Sequence, residues 1–235
     1  MLPLAILAGG YGTRLGVLTK DFPKCLIEVN GRPFVDWQLD LLIENGYSKF
    51  VFCVSYRSDL IQRHLGDGSG RGISIQYSLD GISQLGTGGA IQRAIPMLGD
   101  EFGVVYGDSY LPIDYRQVEQ HFLTSQACAL MTIYKNQNQF DKSNVEFIDG
   151  KIFDYNKDSI NKNMLHIDYG LTFFKKEVFQ AWANQSSFDL STVCNQLSRN
   201  EQLVGVEVFE RFYEIGSVLG IYDFTKYLRK VSNEL

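Results

Sequence analysis

Apolar positions along this chain follow two periods. Short runs rich in strand-forming residues, LPLAIL (2–7) and KFVFCVS (49–55), read as buried strands. Between them, RPFVDWQLDLLIENG places Phe34, Trp37, Leu41 and Leu42 at helical spacing. Pro33 falls in the first turn and Gly46 just past the end, which are the boundaries a helix prefers. Residues 1–55 therefore read strand, glycine loop, helix, strand. That is a βαβ unit, and it implies a parallel pair.

The alternation continues. SDLIQRHLG reads as a helix, ISIQYS as a strand, GGAIQRAIPMLG as a helix ending in glycine, and EFGVVYGD as a strand. Residues 114–124 read as a helix and ACALMTIY (127–134) as a further strand. The pattern predicts a mostly parallel sheet with helices on both faces, and a ligand beyond the carboxyl ends of its strands. After residue 140 the pattern changes. NVEFIDGKIFDY has Asp149-Gly150 between two alternating runs, a hairpin signal. Residues 166–176 read as a strand, FDLSTVCNQLS as a helix, LVGVEVF as a strand, and VLGIYDFTKYLRKV as a closing amphipathic helix. With no linker, repeat or low-complexity tract, residues 1–235 are expected to form one α/β domain. Its C-terminal part would add a small sheet over the mouth of the pocket.

Composition narrows the classes. A chain of 235 residues with 45% hydrophobic and 21% charged content is ordinary for a globular protein. The net charge of -5 offers no global basic field for nucleic acid. No apolar run approaches the length of a membrane span, and MLPLAILAGG lacks the basic start of a signal peptide. Cys25, Cys53, Cys128 and Cys194 are widely spaced, with no CxxC and no clustered histidines. That argues against zinc and fits a reducing, cytoplasmic setting. His64, His121 and His166 are scattered and suggest no triad.

The candidate chemistry begins at LAGGYGTRL (7–15), where Gly9, Gly10 and Gly12 fall within four positions. A dinucleotide fingerprint needs a third glycine where this chain has Leu15, and a P-loop needs a Lys-Ser or Lys-Thr pair that is absent. Glycines let backbone N–H groups approach phosphate oxygens, an arginine can fork onto phosphate, and a lysine adds a compact charge. LAGGYGTRL followed by PKCL (23–26) resembles the signature of the sugar-1-phosphate nucleotidylyltransferases. Later motifs fall in order along nearly the whole chain.

The resemblance implies a Rossmann-like, glycosyltransferase-A-like fold, with a nucleotide-binding core over 1–140 and a sugar-binding part with the closing helix over 141–235. It implies that Arg14 and Lys24 are catalytic. Leu7, Ala8, Gly9, Gly10, Gly12 and Thr13 would hold the nucleotide, with Gly86, Thr87 and Gly88 of QLGTGGA against base and ribose. Asp108, after Gly107, and Glu214 would hold Mg²⁺. Gly107, Lys157, Asp168 and Gly170 would meet the sugar phosphate. The chain departs from the family at Tyr106, where many relatives have Asn, at Asn156 in place of Glu, and at Glu214 in place of Asp. Read without the family, Thr87 and Asp108 also suit helix N-caps, Lys157 a solvated charge and Glu214 a structural carboxylate.

The implied reaction joins a nucleoside triphosphate and a sugar 1-phosphate into a nucleotide sugar and pyrophosphate. The short chain most resembles guanylyltransferases of manno-heptose 1-phosphate. Mannose 1-phosphate and N-acetylmuramate 1-phosphate remain alternatives, the latter with uridylyl transfer. A surface-polysaccharide pathway is implied, no nucleic-acid or membrane partner is expected, and a homodimer is left open. Two rival classes are a non-catalytic nucleotide-sugar sensor and a nicotinamide-dependent oxidoreductase; the missing third glycine speaks against the second.

Overall fold

The structure, a computed structural model, describes residues 1–10, 15–16, 22–55, 57–81, 84–159 and 161–233. In chain order its elements begin β1 (Leu4–Leu7), β2 (Glu28–Val29), β3 (Arg32–Pro33), α1 (Phe34–Glu44), β4 (Lys49–Val54), α2 (Ser58–Leu65), β5 (Ser74–Leu79), α3 (Gly86–Leu98) and β6 (Glu101–Tyr106). They continue β7 (Ser109–Tyr110), α4 (Tyr115–Ser125), β8 (Ala129–Lys135), β9 (Val145–Ile148), β10 (Lys151–Tyr155) and β11 (His166–Lys175). The last are α5 (Leu190–Arg199), β12 (Leu203–Val208), β13 (Tyr213–Glu214) and α6 (Val218–Asn233).

The unbroken apolar runs are strands buried on both faces. Along β1, Leu4 and Ile6 join one core layer and Ala5 the other. Along β4, Phe50, Phe52 and Val54 face the first layer, and Val51 and Cys53 the second. Helices α1 and α2 cover the first layer through Val35, Leu39, Leu42, Ile61 and Leu65. Helix α3 covers the second through Ala90, Ile91, Ala94 and Leu98. Period-2 strands between period-3.6 helices are what the sequence pattern predicts. The end of α1 is also as predicted: Gly46, at φ +90°, donates to Ile43 O at 2.8 Å.

The main sheet runs β5-β4-β1-β6-β11-β8-β12-β10-β9. Its first four strands are parallel, and β1 is flanked by β4 and β6. The chain thus leaves β1 to one side, fills β4 and β5, and returns to the other side at β6. That reversal opens a crevice at the carboxyl ends of β1 and β6. Beyond β6 the sheet is mixed, because β11 enters antiparallel to both β6 and β8. A strand from the C-terminal part therefore lies between two strands from the first 140 residues, and the two parts share one sheet.

The additional sheet takes two forms. Hairpin β9–β10 turns at Asp149 (φ 49°) and Gly150 (φ 84°), as the sequence predicts, but joins the edge of the main sheet. There β9 also meets β11, so the far end of the sheet curls back on itself. The small sheet beside the pocket is β7 with β13, held where α6 packs. Phe224 of α6 lies 5.3 Å from Phe34 and 4.8 Å from Tyr110 between ring centres, which seats the closing helix against α1 and β7. Among the described residues, no helix is long and apolar enough to cross a membrane.

Burial pushes the Cys25 and Cys53 thiols from an ordinary value near 9 up to about 12. Burial moves the phenols of Tyr77 and Tyr106 in the same direction, also to about 12. The folded state therefore holds more protons than the unfolded chain between these values. The associated stability is complete below about pH 9 and is lost as pH rises toward about 12. Thermal melts are expected to show Tm falling from about pH 9 upward, with a shallower fall in Cys53→Ala.

Candidate active site

A two-lobed cleft opens at the carboxyl ends of the parallel strands. One lobe, a cavity of about 310 Å³, is walled by Leu7, Ala8, Gly9 and Gly10 after β1, by Gly86 and Thr87 at the start of α3, and by Lys24. The other, of about 380 Å³, is walled by Lys157, Asp168, Gly170, Asn144 and Glu214. Tyr106 and Asp108, at the end of β6, line both lobes and mark the seam. Gly12, Thr13 and Arg14 lie outside the described residues.

The first lobe follows from its local sequence. Ala8 N donates to Cys53 O at 2.9 Å, continuing the β1–β4 ladder. A Cβ on Gly10 would meet nothing within 4 Å, so its backbone faces open space. Lys24 is aimed by its neighbours. Pro23 sets the start of a tight turn in which Leu26 N donates to Pro23 O at 3.0 Å, and Cys25 and Leu26 are buried beneath it. Lys24 Nζ then forms an ion pair with Asp108. The spacing of PKCL thus anchors two apolar side chains and presents one charge.

QLGTGGA plays a different part from a simple phosphate loop. A Cβ on Gly86, which has φ +70°, would stand 2.5 Å from Phe188 O. Gly88 N and Gly89 N both donate to Phe188 O, at 2.9 and 3.2 Å. Gly88 is therefore committed to packing against the 188–189 segment and lies behind the wall of the lobe. Thr87 is inside α3, not its N-cap; its hydroxyl accepts from Leu190 N at 2.8 Å and donates to Asp189 Oδ1 at 3.3 Å. Gly86 and Thr87 line the lobe.

The seam is held from three sides. Gly107 N donates to Leu7 O at 3.0 Å, and a Cβ on Gly107 would stand 2.9 Å from that same oxygen. Only glycine lets the two strand ends come this close. Gln38 of α1 donates to Tyr106 O at 2.8 Å and Ser109 O at 2.6 Å, clamping the turn from below. Ile215 N donates to Asp108 O at 3.0 Å. Asp108 is followed by strand β7, so it is not a helix N-cap. Glu214 stands opposite Ser109 across the β7–β13 pair. Its longer side chain folds back to accept from Gly216 N and, at 3.0 Å, from Ser217 Oγ.

In the second lobe, β11 bulges. Asp168 pairs with Ile133 and Thr172 with Met131, so β11 takes four steps while β8 takes two. Gly170 carries the bend at φ +112°, and Thr132 Oγ1 fills the broken ladder by donating to Leu171 O at 2.8 Å. The bulge turns Asp168 inward. Its carboxylate accepts from Tyr155 Oη at 3.2 Å and Gly170 N at 3.1 Å, and Lys157 Nζ is 3.7 Å away. Burial alone would lower the Lys157 ammonium, but Tyr106 and Asp168 outweigh it and hold the group above the usual lysine value. Lys157 is thus a partnered charge in the cleft. Asn156 turns to its own loop, its side chain accepting from Asp158 N and Ser159 N at 2.9 Å.

Several lining residues were missed from the sequence. Asp80 follows β5 and lines the first lobe at the edge opposite Asp108. The β5-β4-β1-β6 order separates those strands by three spacings, about 14 Å. Burial raises the Asp80 carboxyl above the usual range. Asp189 and Asn144 also reach the cleft from distant segments. No local motif marks them; a carboxylate before a glycine or helix is common in loops.

The chain belongs to the nucleotidyl transferase family, whose sequence profile matches residues 4–229. It is an enzyme of the nucleotidyltransferase class. It is 28% identical over 221 residues to a D-glycero-alpha-D-manno-heptose 1-phosphate guanylyltransferase of Campylobacter jejuni, covering 93% of this chain and 96% of that one. It is 40% identical over 111 residues to an N-acetylmuramate alpha-1-phosphate uridylyltransferase of Neisseria meningitidis, covering 47% and 48%. Its fold matches a putative glucose-1-phosphate thymidylyltransferase from Bacillus anthracis, with TM-score 0.86, 18% identity and coverage of 97% and 96%.

Replacing Gly86 with Ala should strain a positive-φ site and push against the Phe188 backbone. We expect a loss of about 2 kcal/mol or more, read as a fall in Tm of about 5 °C or more in thermal melts.

Proposed function

We propose that this enzyme joins a nucleoside triphosphate to a sugar 1-phosphate, releasing pyrophosphate, with GTP and D-glycero-D-manno-heptose 1-phosphate as its pair. The observation that carries the reading is the two-lobed cleft meeting at Tyr106 and Asp108, with one lysine directed into each lobe. The first lobe takes the nucleotide, and the second takes the sugar phosphate. Whole-length similarity to the Campylobacter guanylyltransferase supports the substrate pair.

The base end offers a second argument. Asp80 presents acceptors at the far edge of the nucleotide lobe. Guanine has two neighbouring donors, N1–H and N2–H₂, on its pairing edge, whereas uracil has a single N–H between two carbonyls. A carboxylate suits the first edge and opposes the second. The uridylyl alternative draws on the Neisseria relative, which matches 47% of this chain.

The chemistry needs little beyond placement. The sugar-phosphate oxygen attacks the α-phosphorus in line, that new P–O bond forms, and the bond to pyrophosphate breaks. The attacking group is already ionised near neutral pH, so no general base is required. Lys24 would balance the transferred phosphate and Lys157 the attacking one, with Arg14 on the leaving pyrophosphate. The described part of the nucleotide lobe contains Asp80, Asp108 and Asp189 against Lys24. A triphosphate there calls for further cations.

Among the described residues, no three His, Cys, Asp or Glu side chains cluster as a self-sufficient metal site. Two carboxylates, Asp108 and Glu214, line the same lobe and keep acceptor capacity beyond their present partners. That donor set fits Mg²⁺, which takes few protein carboxylates and completes its shell with phosphate and water. When bound, the ion would offset charge across the phosphates. The four free cysteines support a reducing, cytoplasmic setting.

Pyrophosphate release with each triphosphate, Mg²⁺ and the heptose 1-phosphate tests the reading. Turnover with GTP is expected, and turnover with UTP alone overturns the substrate pair. Asp108→Ala, Lys24→Ala and Arg14→Ala should each lower kcat/KM by about 100-fold or more. Asp80→Ala should reduce the preference for GTP over UTP by about tenfold.

A further inference from the structure

No part of the reaction above requires the side chain of Tyr106. It lines both lobes. Lys157 Nζ donates to Tyr106 Oη at 3.4 Å and lies 5.2 Å from the centre of its ring. The same ammonium is 3.7 Å from Asp168 Oδ2, beyond hydrogen-bond length, and 5.9 Å from the ring of Tyr155.

We propose that Tyr106 is the positioning residue for Lys157, holding its ammonium at the seam between the lobes and short of a direct hydrogen bond to its ion-pair partner Asp168. The proposal rests on the reading of Lys157 as the group that meets the sugar phosphate. The side chain of Asp168 is 6% exposed, and its two oxygens already accept from Tyr155 Oη and Gly170 N. A buried carboxylate attracts a neighbouring ammonium strongly. Were Lys157 to close onto Asp168, the pair would neutralise itself, and an incoming phosphate would have to break it. The phenol opposes this in two ways: its oxygen accepts one ammonium hydrogen, and its ring face attracts the same charge. Both keep the cation at Tyr106, the residue that lines the two lobes where attacking and transferred phosphates would meet. An amide side chain here would supply an acceptor but no ring face, so the tyrosine holds this lysine by two contacts from one side chain.

The test is Tyr106→Phe, which keeps the ring and removes the hydroxyl. With GTP, Mg²⁺ and D-glycero-D-manno-heptose 1-phosphate, KM for the sugar phosphate should rise about fivefold while KM for GTP stays within about twofold. Adding Asp168→Asn removes the competing pull, so Tyr106→Phe should then change that KM by less than about twofold. A merely structural tyrosine would raise both KM values together or alter neither, and either result overturns the proposal. Inorganic phosphate supplies an arm that needs no turnover. Its binding, followed by calorimetry, should weaken about fivefold in Tyr106→Phe, and equal binding overturns the proposal. Wild-type protein that binds phosphate in this way but makes no nucleotide sugar would overturn the reaction assigned above and leave the positioning role standing.

Discussion

The close approach of β6 to β1 at Gly107 governs the rest of the site. With no Cβ, Gly107 donates to Leu7 O at 3.0 Å and closes the two strand ends together. The glycine loop after β1 and the carboxylate of Asp108 are then neighbours. Gln38 ties the same turn to α1 through two carbonyls, and Ile215 ties it to the loop after β13. One turn is thereby fixed by the sheet, by a helix and by the C-terminal segment. A carboxylate carried on such a turn is held in place before any ligand arrives, as electrostatic catalysis requires.

The cleft is also a charge arrangement. Lys24 is paired with Asp108, and Lys157 is shared between Tyr106 and Asp168. Each cation thus has a protein partner within the cleft. Buried charges without partners would be costly, so the pairing lets two lysines wait in a recessed cleft. The β11 bulge serves the same end: by bending at Gly170, it turns Asp168 toward Lys157 while Thr132 satisfies the interrupted ladder.

Much of this was legible from the chain. Runs at period two and period 3.6 mark most elements of the first 135 residues, because burial on strand or helix faces leaves a local imprint. Asp149-Gly150 announced its hairpin for the same reason, since few residues adopt two consecutive positive φ values. A second such turn, at Asn30 and Gly31 between β2 and β3, carries an equally local signal that went unread. Candidate residues tied to local motifs, such as Lys24 after Pro23, Asp108 after Gly107 and Gly170, line the cleft. Asp80, Asn144 and Asp189 were not legible, because each reaches the cleft through a long-range packing choice and has no pattern of its own; the same holds for Gln38, which clamps the turn beneath the cleft.

What the sequence by itself determined was the order of strands and helices, the glycines that permit close backbone approach, and the chemistry available at Lys24, Asp108 and Lys157. Those properties depend on neighbours a few residues away. Only the tertiary structure decided that β11 would enter between β6 and β8 and that hairpin β9–β10 would extend the main sheet. It also decided that α6 would press β13 onto β7 and that Gly88 would serve packing against Phe188. These outcomes depend on which surfaces find each other across long intervals of sequence, as Gly88 and Phe188 do across 100 positions. Strand order and helix docking are set by that global burial, which no local window contains.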